Sequence, residues 1–336
     1  ALKSGKYNPE ECAVGITQTG GQCRASNYYP ILKKALVDAG FAGVPVISVS
    51  FGSGLNNNQP GFKINWLKSL PIAMSAILFG DNLSKLYHAT VVRVETERRP
   101  EVKALRDPFL QEAKALILKR DSKGMLKLME KAVSAFSAML PKERLERDKV
   151  GIVGEIYLKY HPFANKFTVD WLIERNFEVL PPTLLSFFIQ SFVNTQTKRE
   201  NETDKISVPK PLLDFGYSLV KGRIRDFDKV MSRFPYFRPT EDVFDLAADV
   251  KEILPLVVQF GEGWLLPAEI VAYAKQGVKA VISLQPFGCI ANHIISKGLE
   301  NKIKQKYPGI NILSLDFDSG VSEVNIVNRL RLLLEA

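Results

Sequence analysis

The feature that most limits what this chain can fold into is a unit repeated along it. A short, unbroken apolar run leads into a glycine-rich or polar loop, and the loop leads into a stretch with helical spacing. Cys12-Ala-Val-Gly-Ile-Thr17 passes through Thr19-Gly-Gly-Gln22 into residues 26–39, and Lys149-Val-Gly-Ile-Val-Gly154 restarts the pattern. Runs without polar alternation suit a parallel sheet covered on both faces, and strands that alternate with helices predict an α/β fold. Further strands are expected at 44–50, 177–181, 256–260, 279–284 and 310–315, with helices that include 107–119, 125–139 and 164–175. Residues from about 62 to 147, and 183–250, lose strand character and read as helical insertions, the second interrupted by an exposed polar loop at 195–205. The expected architecture is two Rossmann-like (flavodoxin-like) parallel-sheet domains, 1–148 and 149–336, each with a helical insertion.

At 336 residues, 46% of them hydrophobic, the chain can fill two cores. Its longest apolar stretches, around 70–79 and 184–193, break well short of the ~20 residues of a membrane span, so no membrane partner is expected. The net charge of +9 comes from 45 Lys and Arg against 36 Asp and Glu. The basic residues are scattered in pairs such as Lys33-Lys34 and Lys198-Arg199 with acids close by, which describes solvated helix faces and no nucleic-acid partner. Three cysteines cannot make a disulfide framework, and no basic-then-apolar signal segment opens the chain, so the expected compartment is the reducing cytoplasm. Ala1-Leu-Lys-Ser-Gly5 reads as the last turn of a helix closed by glycine, from which a preceding native segment is expected.

Parallel sheets bind ligands beyond the carboxyl ends of their strands, which directs attention to the loops 18–24, 51–61, 154–164, 261–269 and 285–293. Two of them carry a cysteine in one local setting: Thr19-Gly-Gly-Gln-Cys23 and Gln285-Pro-Phe-Gly-Cys289, each opening a helix. Exposed N–H groups and the positive helix end favour a thiolate there, suited to metal or nucleophilic duty, while Gly20, Gly21 and Gly288 let a bulky group approach the backbone. The competing reading is two small buried hydrophobes beside loops. Cys12 is different, because at ~3.3 Å per residue a strand over 12–17 places it roughly 15 to 18 Å from the edge where Cys23 emerges; it reads as structural. His88, His161 and His293 have no metal-binding spacing, and Walker, Cys-x-x-Cys and Gly-x-Ser-x-Gly patterns are absent. Asp316-Phe-Asp318-Ser-Gly320 follows a strand and reads as a cap for a helix near Ser322, with cation binding as the alternative.

The sequences Gln18-Thr-Gly-Gly-Gln-Cys-Arg-Ala-Ser-Asn-Tyr28, Gly154-Glu-Ile-Tyr157, Phe260-Gly-Glu-Gly-Trp264, Gln285-Pro-Phe-Gly-Cys-Ile-Ala-Asn-His293 and Leu315-Asp-Phe-Asp-Ser-Gly-Val-Ser322 resemble a known group. They are similar to the C-terminal dehydratase-like region of acyl-CoA dehydratase activase-related proteins, relatives of the 2-hydroxyacyl-CoA dehydratases, and the likeness runs through essentially the whole chain. The resemblance implies a pair of α/β domains holding an iron-sulfur cluster, of 4Fe-4S type, in their cleft. Cys23 and Cys289 match ligand positions, whereas Cys12 does not. A further family ligand, in a Cys-Tyr-Pro motif ahead of the first strand, lies outside this sequence, so the cluster is one that this chain can lack. The implied chemistry is ATP-driven one-electron transfer to a small acyl-CoA-type substrate, with an activator ATPase domain, fused upstream or separate, as partner.

Glu155, Glu262, Trp264, Asn292 and His293 lie on loops expected to converge at the same strand ends. Glu262, His293 and Glu155 are the candidate catalytic groups; Gly20, Gly21, Gly288, Asn292 and Trp264 are the candidate cofactor contacts. His293, one helical turn after Cys289, is placed to donate to a thioester oxygen or a cluster sulfur, or else to cap its own helix. Two other classes remain open: a non-catalytic electron-relay or docking module for the ATPase, and a cluster-free Rossmann-like anion-binding enzyme.

Overall fold

A computed structural model describes residues 1–18, 24–50, 66–181, 183–206, 208–318 and 320–335. The chain is α/β, and its described strands form two parallel sheets. The first sheet is small. Strand β1 (Val14–Gln18) is followed by helix α1 (Tyr28–Asp38) and by β2 (Val46–Ser50), which pairs with β1 in the register Val14 to Val46. Strand β1 starts two residues later than the apolar run suggests, so Cys12 lies just before the strand rather than within it. Pro9 opens a 3₁₀ turn that ends on Cys12 and delays the extended backbone. Cys12 still sits at the amino end of β1, opposite the end from which residues 19–23 leave.

The second sheet has the order β4-β3-β5-β6 and is parallel throughout. Its strands are β3 (Lys149–Gly154), β4 (Glu178–Leu180), β5 (Ala280–Pro286) and β6 (Asn311–Phe317). Strand β5 is central and all seven of its residues are buried, which explains why it reads as a continuous apolar run. The expected strand at 256–260 does not form. Pro255 accepts from the Val258 N–H to make a turn, and the Gln259 side chain donates to the carbonyls of Leu256 and Asn194, so local bonds replace a sheet ladder.

Helices α2 (Trp66–Val91), α3 (Arg99–Ala104), α4 (Arg106–Lys119) and α5 (Ser122–Met139) precede β3. Helix α5 buries Met125, Leu128, Met129, Ala132, Val133 and Phe136, a three-and-four spacing that gives it one apolar face, and the Asp121 carboxylate caps its start at Gly124 N. Sequence order places these helices in an insertion of the first domain, yet they pack with the second sheet. One buried cluster runs from Ile72 to Leu330 and joins them to β3, β4, β5 and β6. The β1-α1-β2 unit adds no residue to that cluster, and α1 has no buried residue.

Helices α6 (Ile156–Tyr160) and α7 (Thr168–Glu174) connect β3 to β4, while α8 (Leu184–Glu200), α9 (Lys210–Met231), α10 (Val243–Val250) and α11 (Leu265–Lys275) connect β4 to β5. Helix α12 (Glu300–Lys306) leads into β6, and α13 (Glu323–Glu335) follows it. The polar stretch from Thr195 is helical as far as Glu200, because Thr195 Oγ1 donates to the Ser191 carbonyl at 2.7 Å, Gln196 pairs with Glu200 and Thr197 is buried. The loop begins only after that. No described helix is long and apolar enough to cross a membrane.

Arg93, just past α2, ties the helical layer to the sheet. Its guanidinium donates to the Ala89 and Leu145 carbonyls and, at 2.6 Å, to Glu178 Oε2, and it lies 3.7 Å over the Tyr236 ring. Both partners of this ion pair are buried, so removing one strands the other charge away from water. Arg93→Ala is expected to cost about 3 to 5 kcal/mol in urea unfolding, and the Arg93→Ala/Glu178→Ala double variant less than the two single losses combined. Strict additivity would show that the pair is not coupled.

Candidate functional site

Chain connections leave the second sheet in opposite directions at the boundary of β3 and β5, the position where parallel sheets open a crevice beyond their carboxyl ends. Gly154 closes β3 with φ 137°, and a Cβ there would lie 2.0 Å from the Leu284 carbonyl oxygen on β5, so only glycine lets the two strand ends stay this close. Glu155 comes next and caps α6: one oxygen accepts from Tyr157 N and Leu158 N at 3.0 and 2.9 Å. The other accepts from the Tyr28 hydroxyl at 3.0 Å, and the Tyr28 ring lies 6.0 Å from that of Tyr157. This contact joins the β1-α1-β2 unit to the crevice. Burial pushes the Glu155 carboxyl up, against the pull of these donors.

Beyond β5 the chain turns at Phe287 and Gly288, where Gly288 takes φ 77°, and delivers Cys289 to the start of a π-helical turn, Ile290–Ser296. Such turns are frequent at functional sites. Phe287 is 65% exposed and Cys289 4%, so the thiol lies directly behind the surface. Asn292 Nδ2 donates to Cys289 Sγ at 3.1 Å, and Asn292 is itself fully buried. The thiol is not acidified as its place before a helix suggests. Burial pushes its pKa up, Asn292 pulls it back in part, and the nearby Glu262 and Glu155 carboxylates add to the rise. Desolvation at this depth outweighs the helix end.

Glu262 is buried, and its Oε1 has no hydrogen-bond partner among the described residues. Burial drives its carboxyl up to about 7; Lys159 opposes the rise, while Glu155 and Glu269 reinforce it. Lys159 Nζ lies 3.8 Å from Glu269 Oε2, both atoms are buried, and neither has a hydrogen bond. Glu155, Glu262, Lys159 and Glu269 thus form a buried charged group beneath Cys289. Lys159 and Glu269 escaped the sequence reading because each sits on a helix, where a lone charge reads as solvated; their only signal was an apolar setting, Leu265 to Ala272 being buried throughout.

His293 is oriented outward over the same strand ends. Its Nε2 meets Asp316 Oδ1 at 2.5 Å, Asp316 also accepts from Gln285 Nε2 at 2.7 Å, and the Phe287 ring stands edge-on 5.7 Å away. The β5–β6 register pairs Gln285 with Asp316, which brings this carboxylate to the histidine. Asp316 therefore holds a side chain rather than capping a helix, and Asp318 accepts from Gly320 N to close a turn. Trp264 is fully buried and donates from its indole to Asn194 Oδ1 at 2.7 Å, so it packs inside the protein and does not line the crevice. The other histidines lie outside this group. His88 is held neutral by burial, with a pKa of about 4, and His161 stacks on Tyr157. Gly20, Gly21 and Cys23, with the loop 51–61, lie outside the described residues.

No protein-family model, curated protein or solved structure matches this chain.

The buried carboxyl of Glu262 makes stability depend on pH in a fixed direction. Its folded pKa is raised from 4.5 to about 7, so between these values the folded state holds a proton that the unfolded state has released, and stability is lost as pH rises. Glu262→Gln removes the penalty. In urea unfolding the variant should gain on the order of 3 kcal/mol over the parent at about pH 8, and the gain should vanish near pH 4. A difference independent of pH would mean that the folded protein does not bury this charge.

Proposed function

We propose that the chain is an iron-sulfur redox component of an ATP-dependent, 2-hydroxyacyl-CoA dehydratase-like system, built on two Rossmann-like units whose facing strand ends supply the ligands. The observation that carries this reading is the setting of Cys289: a buried thiol at the β3–β5 crevice, with an amide donor 3.1 Å from its sulfur, behind an exposed glycine turn. Amide donors to sulfur and a dry surround are the features that tune such centres. The described residues fit one corner of a cluster. They contain no set of three or more His, Cys, Asp and Glu able to hold a metal by itself, so Cys289 needs thiolates from elsewhere, and Cys23 has the matching motif. When bound, the cluster would supply single electrons to a small acyl-CoA-type substrate.

The protein's own residues have separable parts in this scheme. Cys289 would hold the cluster as a thiolate, and because burial raises its pKa, loading would become more favourable as pH rises. Asn292 holds the sulfur, and Gly288 leaves the backbone open beside it. Glu262 exchanges a proton near neutrality, which suits a group that returns a proton beside a centre receiving an electron. Asp316 fixes the His293 ring so that its other nitrogen is aimed by the protein, as a positioned proton donor requires. Glu155 caps α6 and binds Tyr28, so its part is to join the two units at the crevice. An activator ATPase is the partner that would deliver the electron, in a cytoplasmic, reducing setting.

Anaerobic reconstitution with iron and sulfide tests the proposal, with iron per chain and the visible spectrum as readouts. The parent chain and Cys12→Ser should take up equal iron, and Cys289→Ser and Cys23→Ser should each lose most of it. Equal uptake by the parent and Cys289→Ser would sink the cluster reading.

A further inference from the structure

Much of the chain's positive charge gathers at one corner of the helical layer, where α4 turns into α5. Residues 114–127 carry five cations, Lys114, Lys119, Arg120, Lys123 and Lys127, against the single carboxylate of Asp121. All five are exposed, and none makes an ion pair among the described residues. Asp121 is turned to the backbone and accepts from Gly124 N at 2.8 Å. The acids that flank the segment are paired elsewhere, Glu112 with Lys131 at 3.1 Å and Glu130 with Arg233 at 3.9 Å. A surplus of four positive charges, close to half of the chain's +9, therefore faces solvent within fourteen residues.

The same corner displays apolar side chains. Helix α4 turns Ala113 inward, with Phe109 and Leu116 against the core, while Leu110, Lys114, Ile117 and Leu118 share the opposite face by their three-and-four spacing. Leu118 is 79% exposed, Leu110 47% and Ile117 40%. The pairs Glu112 with Lys131 and Phe109 with Phe136 show that α4 and α5 run antiparallel, so the corner is the tip of a helical hairpin. The tip is closed by Arg120 N bonded to the Ile117 carbonyl and Asp121 N bonded to that of Leu116, the helix ending in which glycine is the usual residue. Here the left-handed residue, with φ 55° and ψ 34°, is Arg120. The chain thus keeps a cation at a position where glycine would be less strained.

We propose that the α4–α5 tip docks on an anionic lipid surface, with Leu118 and Ile117 entering the headgroup layer and the five cations meeting lipid phosphates around them. Apolar side chains ringed by Lys and Arg are what a peripheral membrane contact requires, and no spanning helix is needed for it. A nucleic acid would meet the cations but leave the leucines in water, and residues 114–127 hold no aromatic or amide side chain to engage a base. An acidic protein would need a groove shaped to the tip, whereas a fluid bilayer accepts a protruding leucine without one. The tip includes no residue of the Cys289 crevice, so this proposal stands or falls separately from the redox reading.

Co-sedimentation of the full chain with vesicles tests it, using phosphatidylcholine alone and an equal mixture of phosphatidylcholine and phosphatidylglycerol. The parent should bind the mixed vesicles, bind phosphatidylcholine at least about tenfold more weakly, and come off as salt is raised. Leu118→Ser should weaken binding to the mixed vesicles by about tenfold or more, and Lys119→Glu/Lys123→Glu should abolish it. Arg120→Gly separates lipid contact from folding: it should unfold at the same or a higher temperature than the parent, yet bind about fivefold more weakly. Leu118→Trp should shift its fluorescence to shorter wavelength on the mixed vesicles, and Leu212→Ser, on exposed α9, should bind as the parent does. The proposal is overturned if the parent binds neither vesicle or both equally, or if Leu118→Trp shows no shift. It is also overturned if Leu118→Ser keeps the parent's affinity, since charge alone would then account for binding, as it would on a nucleic acid.

Discussion

The site depends on a constraint of connectivity. Strand β5 pairs with β3 and β6, so the chain leaving β4 must travel past β3 before it can re-enter the sheet. Right-handed crossovers then send the connections of β3 and β5 to opposite faces, and a crevice opens where they part. Gly154 and the Leu284 carbonyl show how tightly the two strand ends are drawn together there. Glu155 and Cys289, 134 positions apart in sequence, reach one crevice for this reason. The helices between β4 and β5 fill the long detour, and Arg93 bonded to Glu178 binds the earlier helical layer to the edge of the same sheet.

Charge beneath the crevice is expensive to keep. Lys159, Glu262 and Glu269 each bury a polar atom that has no hydrogen bond among the described residues, in a layer where Trp264 and Leu265 are fully enclosed. An apolar set of the same volume would have avoided the desolvation cost. A group that raises one carboxyl to about 7 beside a buried thiol is instead suited to exchanging a proton at neutral pH. The arrangement at Glu155 is of another kind. Its lone pairs are taken by Tyr157, Leu158 and Tyr28, which makes it a joint between the two sheets and ties the β1-α1-β2 unit to the crevice through a hydroxyl and a ring.

Where the sequence reading departs from the structure, local bonding explains the difference. The apolar run after Pro255 has strand character, but the turn that Pro255 begins and the side chain of Gln259 satisfy its backbone first. The polar residues after Thr195 look like a loop, but hydrogen bonds to the preceding helical turn keep them in α8. Cys289 in a loop before a helix suggests an activated thiolate, and the depth at which β5 delivers it reverses the direction of its pKa. Asp316 reads as a cap because the strand before it and the helix after it are close in sequence. Its partners, Gln285 and His293, come from the neighbouring strand and the turn beyond it.

The amino-acid sequence by itself determined the α/β class, most strand positions and the strand-end loops where reactive groups gather. These follow from apolar runs, glycine turns and helical spacing, all of which act over a few residues. Lys149 to Gly154 appears in the structure as β3 with the same limits as its apolar run, and residues 279–284 differ from β5 by one or two residues at each end. Tertiary structure alone decided which loops meet, how deeply each reactive group is buried, and which core the helices of residues 66–139 join. Burial and pairing across strands depend on atoms distant in sequence. The acidity of Cys289, the proton on Glu262 and the partner of His293 are therefore set by neighbours that no local pattern contains.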